Sequence, residues 1–186
     1  MPDVRRTLVL GGARSGKSAH AEGLLAGGPA TYVATARVDP ADADWSARIA
    51  AHVERRPPAW QTVELADPAA LAPFLAGATG PVLVDDIATW LTATLDDAGA
   101  WTAEPNLEQE DGPQQVVRQA CDALAEAVGT SRAELVLVSA EVGLGVVPAT
   151  RSGRLFRDQL GVLNAALADR CTDVVLLVAG IPLRLR

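Results

Sequence analysis

"GGARSGKS", residues 11–18, lies between the apolar run "TLVL" and the helix-forming "SAHAEGLL". It satisfies the pattern of a glycine, four residues, a second glycine, lysine and a serine or threonine, in the strand–turn–helix setting that gives the pattern meaning. Glycines let the backbone wrap a polyphosphate with successive N–H groups pointing inward, and the helix that follows adds its partial positive charge. Lys17 is placed to reach the outer phosphates and the Ser18 hydroxyl to bind Mg²⁺. Composition sharpens this reading. Of sixteen Lys plus Arg residues Lys17 is the one lysine, which leaves fifteen arginines. A compact ammonium at this one position is a choice that a guanidinium does not replace.

Outward from the loop, the chain alternates β-rich runs with helical segments, the signature of a parallel sheet covered on both faces. Strands are expected at "RTLVL", "ATYVAT", "TVEL", "PVLVDD", "ELVLVSA" and "DVVLLVA", several of them apolar without alternation, as double-sided burial requires. "QQVVRQACDALAEAV" sets Val117, Cys121, Leu124 and Val128 at helical spacing, and "RLFRDQLGVLNAALADR" predicts a second helix. Residues 96–113, rich in acid, Gly and Pro, read as a loop, either a lid or a solvated connection.

A length of 186 residues with 49% hydrophobic content suits a single nucleotide-binding domain over residues 1–186. No apolar stretch approaches the roughly 20 residues of a membrane span, and no targeting signal is visible, so a cytoplasmic protein is expected. The net charge of −7 argues against a nucleic-acid partner. Cys121 and Cys171 have neither disulfide-framework nor metal-ligand spacing and are expected in the core.

A phosphate-binding loop of this type works with a carboxylate at the end of a neighbouring strand. Asp85, closing "PVLVD", is placed for the Mg²⁺ shell, whereas Asp86 points to the other face and is better suited to capping a helix. A regulatory GTPase is excluded, because its guanine-reading Asn-Lys-x-Asp motif needs a second lysine.

His52 is one of two histidines and sits in "RIAAHVERRPPAW", residues 48–60. On a helix over residues 41–56, Arg48 and Arg56 share its face and Arg55 is adjacent, with Pro57 ending the helix. Neighbouring positive charge keeps the imidazole neutral and nucleophilic near pH 7, and the same guanidiniums can neutralise a phosphate under attack. A surface histidine among solvated arginines is the alternative. His20, on the loop helix, takes that plainer reading.

Taken together, "GGARSGKSAHAE", "YVATA", "RIAAHVERRPPAWQTVE", "VLVDDIATWLT", "SAEVGLGVVP", "RLFRDQLGVLN" and "VAGIPLRLR" carry a resemblance. The chain resembles the bifunctional adenosylcobinamide kinase and adenosylcobinamide-phosphate guanylyltransferase family of cobalamin biosynthesis, whose Arg-Ile-x-x-His-x-x-x-Arg-Pro motif falls on Arg48, Ile49, His52, Arg56 and Pro57. The resemblance implies a RecA-like, mostly parallel α/β fold of the P-loop NTPase type with helices on both faces, and a trimer. It implies that His52 attacks the α-phosphate of GTP, expels pyrophosphate and holds GMP as a phosphoramidate for transfer to adenosylcobinamide phosphate. ATP or GTP would serve the kinase step. Nucleotide contacts are implied at Gly11, Gly12, Ala13, Arg14, Ser15, Gly16, Lys17 and Ser18. Others are implied at Thr35, Ala36 and Arg37, at Val53, Glu54, Arg55 and Arg56, and at Glu64 and Asp85, with Mg²⁺ on Ser18 and Asp85. A carboxylate at Glu64 would accept hydrogen bonds from guanine N1–H and the 2-amino group. The family pattern often has Asn where this chain has Ala93 and Ala140, Gln at Ala165 and Cys at Asp86, which bears on the corrinoid and the kinase step. The alternatives are a guanylyltransferase whose kinase activity has decayed and a P-loop sensor without transfer chemistry.

Overall fold

The computed structural model describes residues 4–37, 57–102 and 112–186. The helix expected over residues 41–56, with His52 and its arginines, therefore lies outside the described residues. The strands are β1 (Arg6–Gly11), β2 (Thr31–Ala34), β3 (Gln61–Glu64), β4 (Val82–Asp85), β5 (Leu135–Ala140), β6 (Asp173–Val178) and β7 (Ile181–Arg184). The helices are α1 (Lys17–Leu24), α2 (Leu71–Gly77), α3 (Ile87–Asp97), α4 (Pro113–Thr130) and α5 (Arg151–Arg170), with a 3₁₀ turn at Pro68–Ala70 before α2.

One sheet contains all seven strands in the order β3-β2-β4-β5-β1-β6-β7. Every pairing is parallel except the last, β6 with β7. Strand alternation divides the core in two. Leu8 and Leu10, Val82 and Val84, and Leu135 and Leu137 join the larger cluster, which α2 to α5 cover. Val9, Leu83, Val136 and Val138 face the opposite way and pack with Ala21 and Leu25 around α1. A residue period of two with both sets apolar is what "TLVL" and "ELVLV" encode. On α4, Val117, Cys121, Leu124 and Val128 are all buried, as their spacing predicted.

Six strands fall where the sequence places them. The seventh, β7, was not expected. Its four residues are all exposed and include Pro182, which suits an edge position. The turn before it puts Ala179 at φ 51° and Gly180 at φ 79°, the left-handed pair that a two-residue hairpin demands. Helices α2 and α3 were also unmarked. In α3, Ile87, Ala88, Trp90, Leu91, Ala93, Thr94 and Leu95 are buried, which leaves little polar face to reveal a helical period. The expected loop at 96–113 begins later than read: α3 runs through Asp97 and turns follow to 102. Residues 103–111 are outside the described residues, and with them the question of a lid.

Candidate nucleotide site

The carboxyl ends of β1, β2, β3, β4 and β5 form one crest, the edge of a parallel sheet where α/β folds bind ligands. Residues 11–18 leave the crest from the end of β1. Arg14 (φ 57°) and Gly16 (φ 89°) take left-handed backbone conformations, and the Ser15 N–H donates to Gly12 O at 3.3 Å. This curls the chain before α1 starts at Lys17. Lys17 Nζ donates to Gly12 O at 3.4 Å, so the ammonium spans the mouth of the loop. No acidic residue occupies the first turn of α1 to cancel its positive end.

Close packing explains the first glycine. A Cβ on Gly11 would lie 2.4 Å from Ser15 Oγ and 3.1 Å from the Leu177 carbonyl. Ser15 itself is 8% exposed, and its Oγ is buried without a hydrogen-bond partner among the described residues. The β6–β7 turn supports the loop from the side, where Gly180 N–H donates to Ser15 O at 3.2 Å.

Asp85 closes β4, and its Oδ2 accepts from the Tyr32 hydroxyl at 2.9 Å. Asp86 is the cap of α3: Oδ1 accepts from Thr89 N–H and from Thr89 Oγ1, both at 2.7 Å. The two adjacent carboxylates thus divide as the side-chain alternation predicted, one at the crest and one committed to a helix end. Strand β5 lies between β1 and β4, so Asp85 is two strands from the P-loop. Among the described residues Glu141, immediately after β5, is a carboxylate beside the loop; its N–H donates to Gly11 O at 3.1 Å. It lies in "SAEVGLGVVP" without an expected role, although a carboxylate at the end of a strand is the same signal that marks Asp85.

The β2–β3 end of the crest holds the other expected contacts. Thr35 is 1% exposed and its Oγ1 donates to Asp86 O at 2.7 Å, so its side chain serves the crest itself. Ala36 is half-buried and Arg37 exposed. Arg37 donates from Nη1 to Asp97 Oδ1 at 2.8 Å, from Nη2 to Oδ2 at 2.6 Å, and from Nε to Ala66 O at 3.0 Å. This fork joins the segments after β2, β3 and α3, and its hydrogen bonds hold the Asp97 carboxyl below its ordinary value. Glu64 ends β3, exposed, four strand positions from β1; at about 4.8 Å per strand that is roughly 19 Å. The crest therefore has a phosphate-loop end and a β2–β3 end. His52, Val53, Glu54, Arg55 and Arg56 lie outside the described residues. Of the three alanines where the family often has amides, Ala93 is 4% exposed inside α3, Ala140 is half-buried at the tip of β5, and Ala165 is exposed on α5.

The cysteines are in the core, free and buried, and burial pushes both thiols up to about 12. His20 lies on α1, lining a hollow of about 270 Å³ with Arg5, Thr7 and Arg184.

A parallel sheet with a glycine-rich phosphate loop at its crest, and one strand between that loop and the Asp85 strand, defines a P-loop NTPase of the RecA-like kind. Two solved structures of type III secretion ATPases share the fold. One is a prototypical ATPase from the type III secretion system of pathogenic bacteria (TM-score 0.52, 13% identity, 94% of this chain and 51% of that one). The other is the assembled ATPase EscN from enteropathogenic E. coli (TM-score 0.55, 11% identity, 95% and 43%). The chain thus spans about half the length of these ATPases. Residues 7–185 match the family model CobU, described as cobinamide kinase / cobinamide phosphate guanyltransferase. The chain is 41% identical over 186 residues to the bifunctional adenosylcobalamin biosynthesis protein CobP of Pseudomonas aeruginosa, covering 97% of each. It is 36% identical over 183 residues to the corresponding CobU of Escherichia coli K12 (96% of this chain, 98% of that protein) and 37% over 188 residues to that of Salmonella typhimurium LT2 (96% and 98%). The chain belongs to the cobinamide kinase / cobinamide phosphate guanyltransferase family.

Proposed function

We propose that this chain is a bifunctional enzyme of adenosylcobalamin biosynthesis, working as one domain. In the kinase step the γ-phosphate of ATP or GTP passes to the hydroxyl of adenosylcobinamide. In the guanylyl step a His52 nitrogen attacks the α-phosphate of GTP, the bond to the bridging oxygen breaks and pyrophosphate leaves. A phosphate oxygen of adenosylcobinamide phosphate then displaces the histidine, giving adenosylcobinamide-GDP. The observation that carries the reading is the P-loop, with its single lysine at the crest, in a chain that matches the family from residue 7 to 185.

Each residue's part follows from its place. The N–H groups of Gly11 to Ser18 and the positive end of α1 bind the triphosphate, and Lys17 neutralises its outer oxygens. Arg37 and Glu64, with Thr35 and Ala36 through their backbone, form the nucleoside end, and the family resemblance adds nucleotide contacts from Val53, Glu54, Arg55 and Arg56. Ser18 and Asp85 supply a hydroxyl and a carboxylate, hard oxygen donors that fit Mg²⁺, which takes few protein ligands beside phosphate and water. Bound there, the ion would neutralise charge on the phosphates.

Among the described residues no helix is long and apolar enough to cross a membrane. With an acidic chain this supports a cytoplasmic enzyme without a nucleic-acid partner. Exposed Ile181, Leu183 and Leu185 on the β7 edge, with Val178 beside them, support a homo-oligomer, and the family resemblance makes it a trimer.

The test is to incubate the purified chain with Mg²⁺ and GTP radiolabelled on its α-phosphate, then separate it by denaturing electrophoresis. A covalently labelled chain that releases its label to adenosylcobinamide phosphate is the expected result. A chain that binds GTP and stays unlabelled is a sensor, and the proposal fails.

A further inference from the structure

We propose that Glu141 is the general base of the kinase step, accepting the proton of the adenosylcobinamide hydroxyl as that oxygen attacks the γ-phosphorus. The inference rests on the kinase reading above and adds to it a residue that the sequence analysis gave no role.

The topology singles out this carboxylate. Strand β5 is directly hydrogen-bonded to the P-loop strand β1, with Gly11 paired to Ala140, so the next residue, Glu141, emerges beside the first loop glycine. Its N–H on Gly11 O fixes its backbone to the loop that holds the phosphates. Four other crest carboxylates among the described residues are committed elsewhere. Asp86 caps α3, Asp97 is forked to Arg37, Asp85 meets Tyr32 two strands away, and Glu64 is four strands away.

Glu141 is also well supported. Beneath it, buried Asn164 on α5 accepts from Ser139 Oγ at 2.7 Å and donates from Nδ2 to Ala140 O at 3.0 Å. An amide buried here and bonded to both residues locks the last two residues of β5, and so the direction in which Glu141 leaves the sheet. Glu141 Oε1 accepts from Gly143 N–H at 2.6 Å, a bond that turns the following loop and leaves Oε2 to receive a proton. That loop exposes Leu144, Val146 and Val147, an apolar surface on which a bulky acceptor can rest while its hydroxyl meets the carboxylate.

The step balances without a further reactant. The hydroxyl oxygen forms the new bond to the γ-phosphorus, the bond to the β–γ bridging oxygen breaks, the nucleoside diphosphate leaves with that electron pair, and the hydroxyl proton passes to Glu141. Guanylyl transfer to His52 takes no proton from a hydroxyl and does not need this carboxylate.

The experiment compares the full-length wild type with Glu141→Gln, which keeps an acceptor for Gly143 N–H and therefore the turn. Kinase turnover at saturating adenosylcobinamide, ATP and Mg²⁺ is expected to fall by about 10²-fold or more. Labelling by α-phosphate-labelled GTP is expected to stay within about twofold, because nothing in that step uses the carboxylate. Glu141→Asp, a shortened base, is expected to lie between the two. Glu141→Gln with near-wild-type kinase turnover overturns the proposal. So does a parallel loss of both activities, which would show a structural role, or full recovery of turnover at raised Mg²⁺, which would make Glu141 part of the metal shell. A wild type that labels with GTP but transfers no phosphate to adenosylcobinamide overturns the kinase reading, and Glu141's role with it.

Discussion

The Tyr32 hydroxyl donates to Asp85 Oδ2 at 2.9 Å, tying the crest ends of the neighbouring strands β2 and β4. The bond helps orient the carboxylate at the end of β4, and it comes from a tyrosine ring packed in the smaller core. Asp85→Asn keeps an oxygen for Tyr32 and removes the charge. The Mg²⁺ concentration needed for half-maximal activity should rise by about tenfold or more. Asp86→Asn should leave it unchanged, because asparagine caps a helix about as well as aspartate, whereas Asp86→Ala should cost about 1 kcal/mol of stability. Mg²⁺ titrations of the two asparagine variants, with denaturant melts of the alanine one, check the division of labour.

Lys17 should be irreplaceable within its charge class. Lys17→Ala is expected to depress phosphoryl and guanylyl transfer alike, by on the order of 10²-fold, since one triphosphate-binding loop serves both. Lys17→Arg should recover little, because a planar fork fits poorly where a compact ammonium spans from α1 to Gly12 O. Steady-state rates for both half-reactions measure this, and full activity in Lys17→Arg would remove the argument from the single lysine.

Arg37 is engaged by Asp97 and Ala66 O, so an acceptor group of the bound nucleoside would compete with Asp97 for its fork. Asp97→Asn should therefore tighten GTP binding, and Arg37→Ala should weaken it. Calorimetric titration of both variants decides the matter; if neither shifts the affinity, the Arg37–Asp97 pair only joins three loops.

The fold was legible wherever burial on both sheet faces forces uninterrupted apolar runs. The glycine, lysine and serine of the loop then located the crest. Strand β7 was hidden because it is short, has Pro182 inside it and ends on an arginine, and α3 because burial on most sides erases its polar stripe. The capping role of Asp86 could be read from alternation along "VLVDD". The commitment of Thr35 Oγ1 to Asp86 O could not, since it depends on how β2 and β4 align at their ends. Glu141 needed the strand order, because nothing local shows that β5 lies against β1.

Cys121 and Cys171 should be inert thiols. Burial raises both from 9.0 to about 12, so the native protein should resist alkylation at pH 8 and react only after unfolding. The sign for stability follows from the raised values. Between about pH 9 and 12 the unfolded chain loses these protons while the native chain keeps them, so the two thiols contribute full stability below pH 9 and lose it as pH rises toward 12. Denaturant midpoints of Cys121→Ala and Cys171→Ala should accordingly converge on the wild-type midpoint as pH rises through that window.

His52 separates the two chemistries. As the covalent nucleophile it has no substitute among its neighbours, since arginines are protonated throughout the working pH range and cannot form a phosphoramidate. His52→Ala should therefore lose the GMP adduct and all guanylyl transfer. Kinase turnover should survive in part, because phosphoryl transfer to a hydroxyl rests on the P-loop, Lys17 and charge neutralisation at the crest. The adduct in the wild type should be labile in acid and stable in base, the behaviour of a P–N bond. His20→Ala is the matched control. His20 lies on α1 in the hollow beside Arg5 and Arg184, so its removal should leave labelling intact. Loss of label in His20→Ala with its retention in His52→Ala would assign the nucleophile to α1 and reduce the arginine-flanked segment to a nucleotide-binding face.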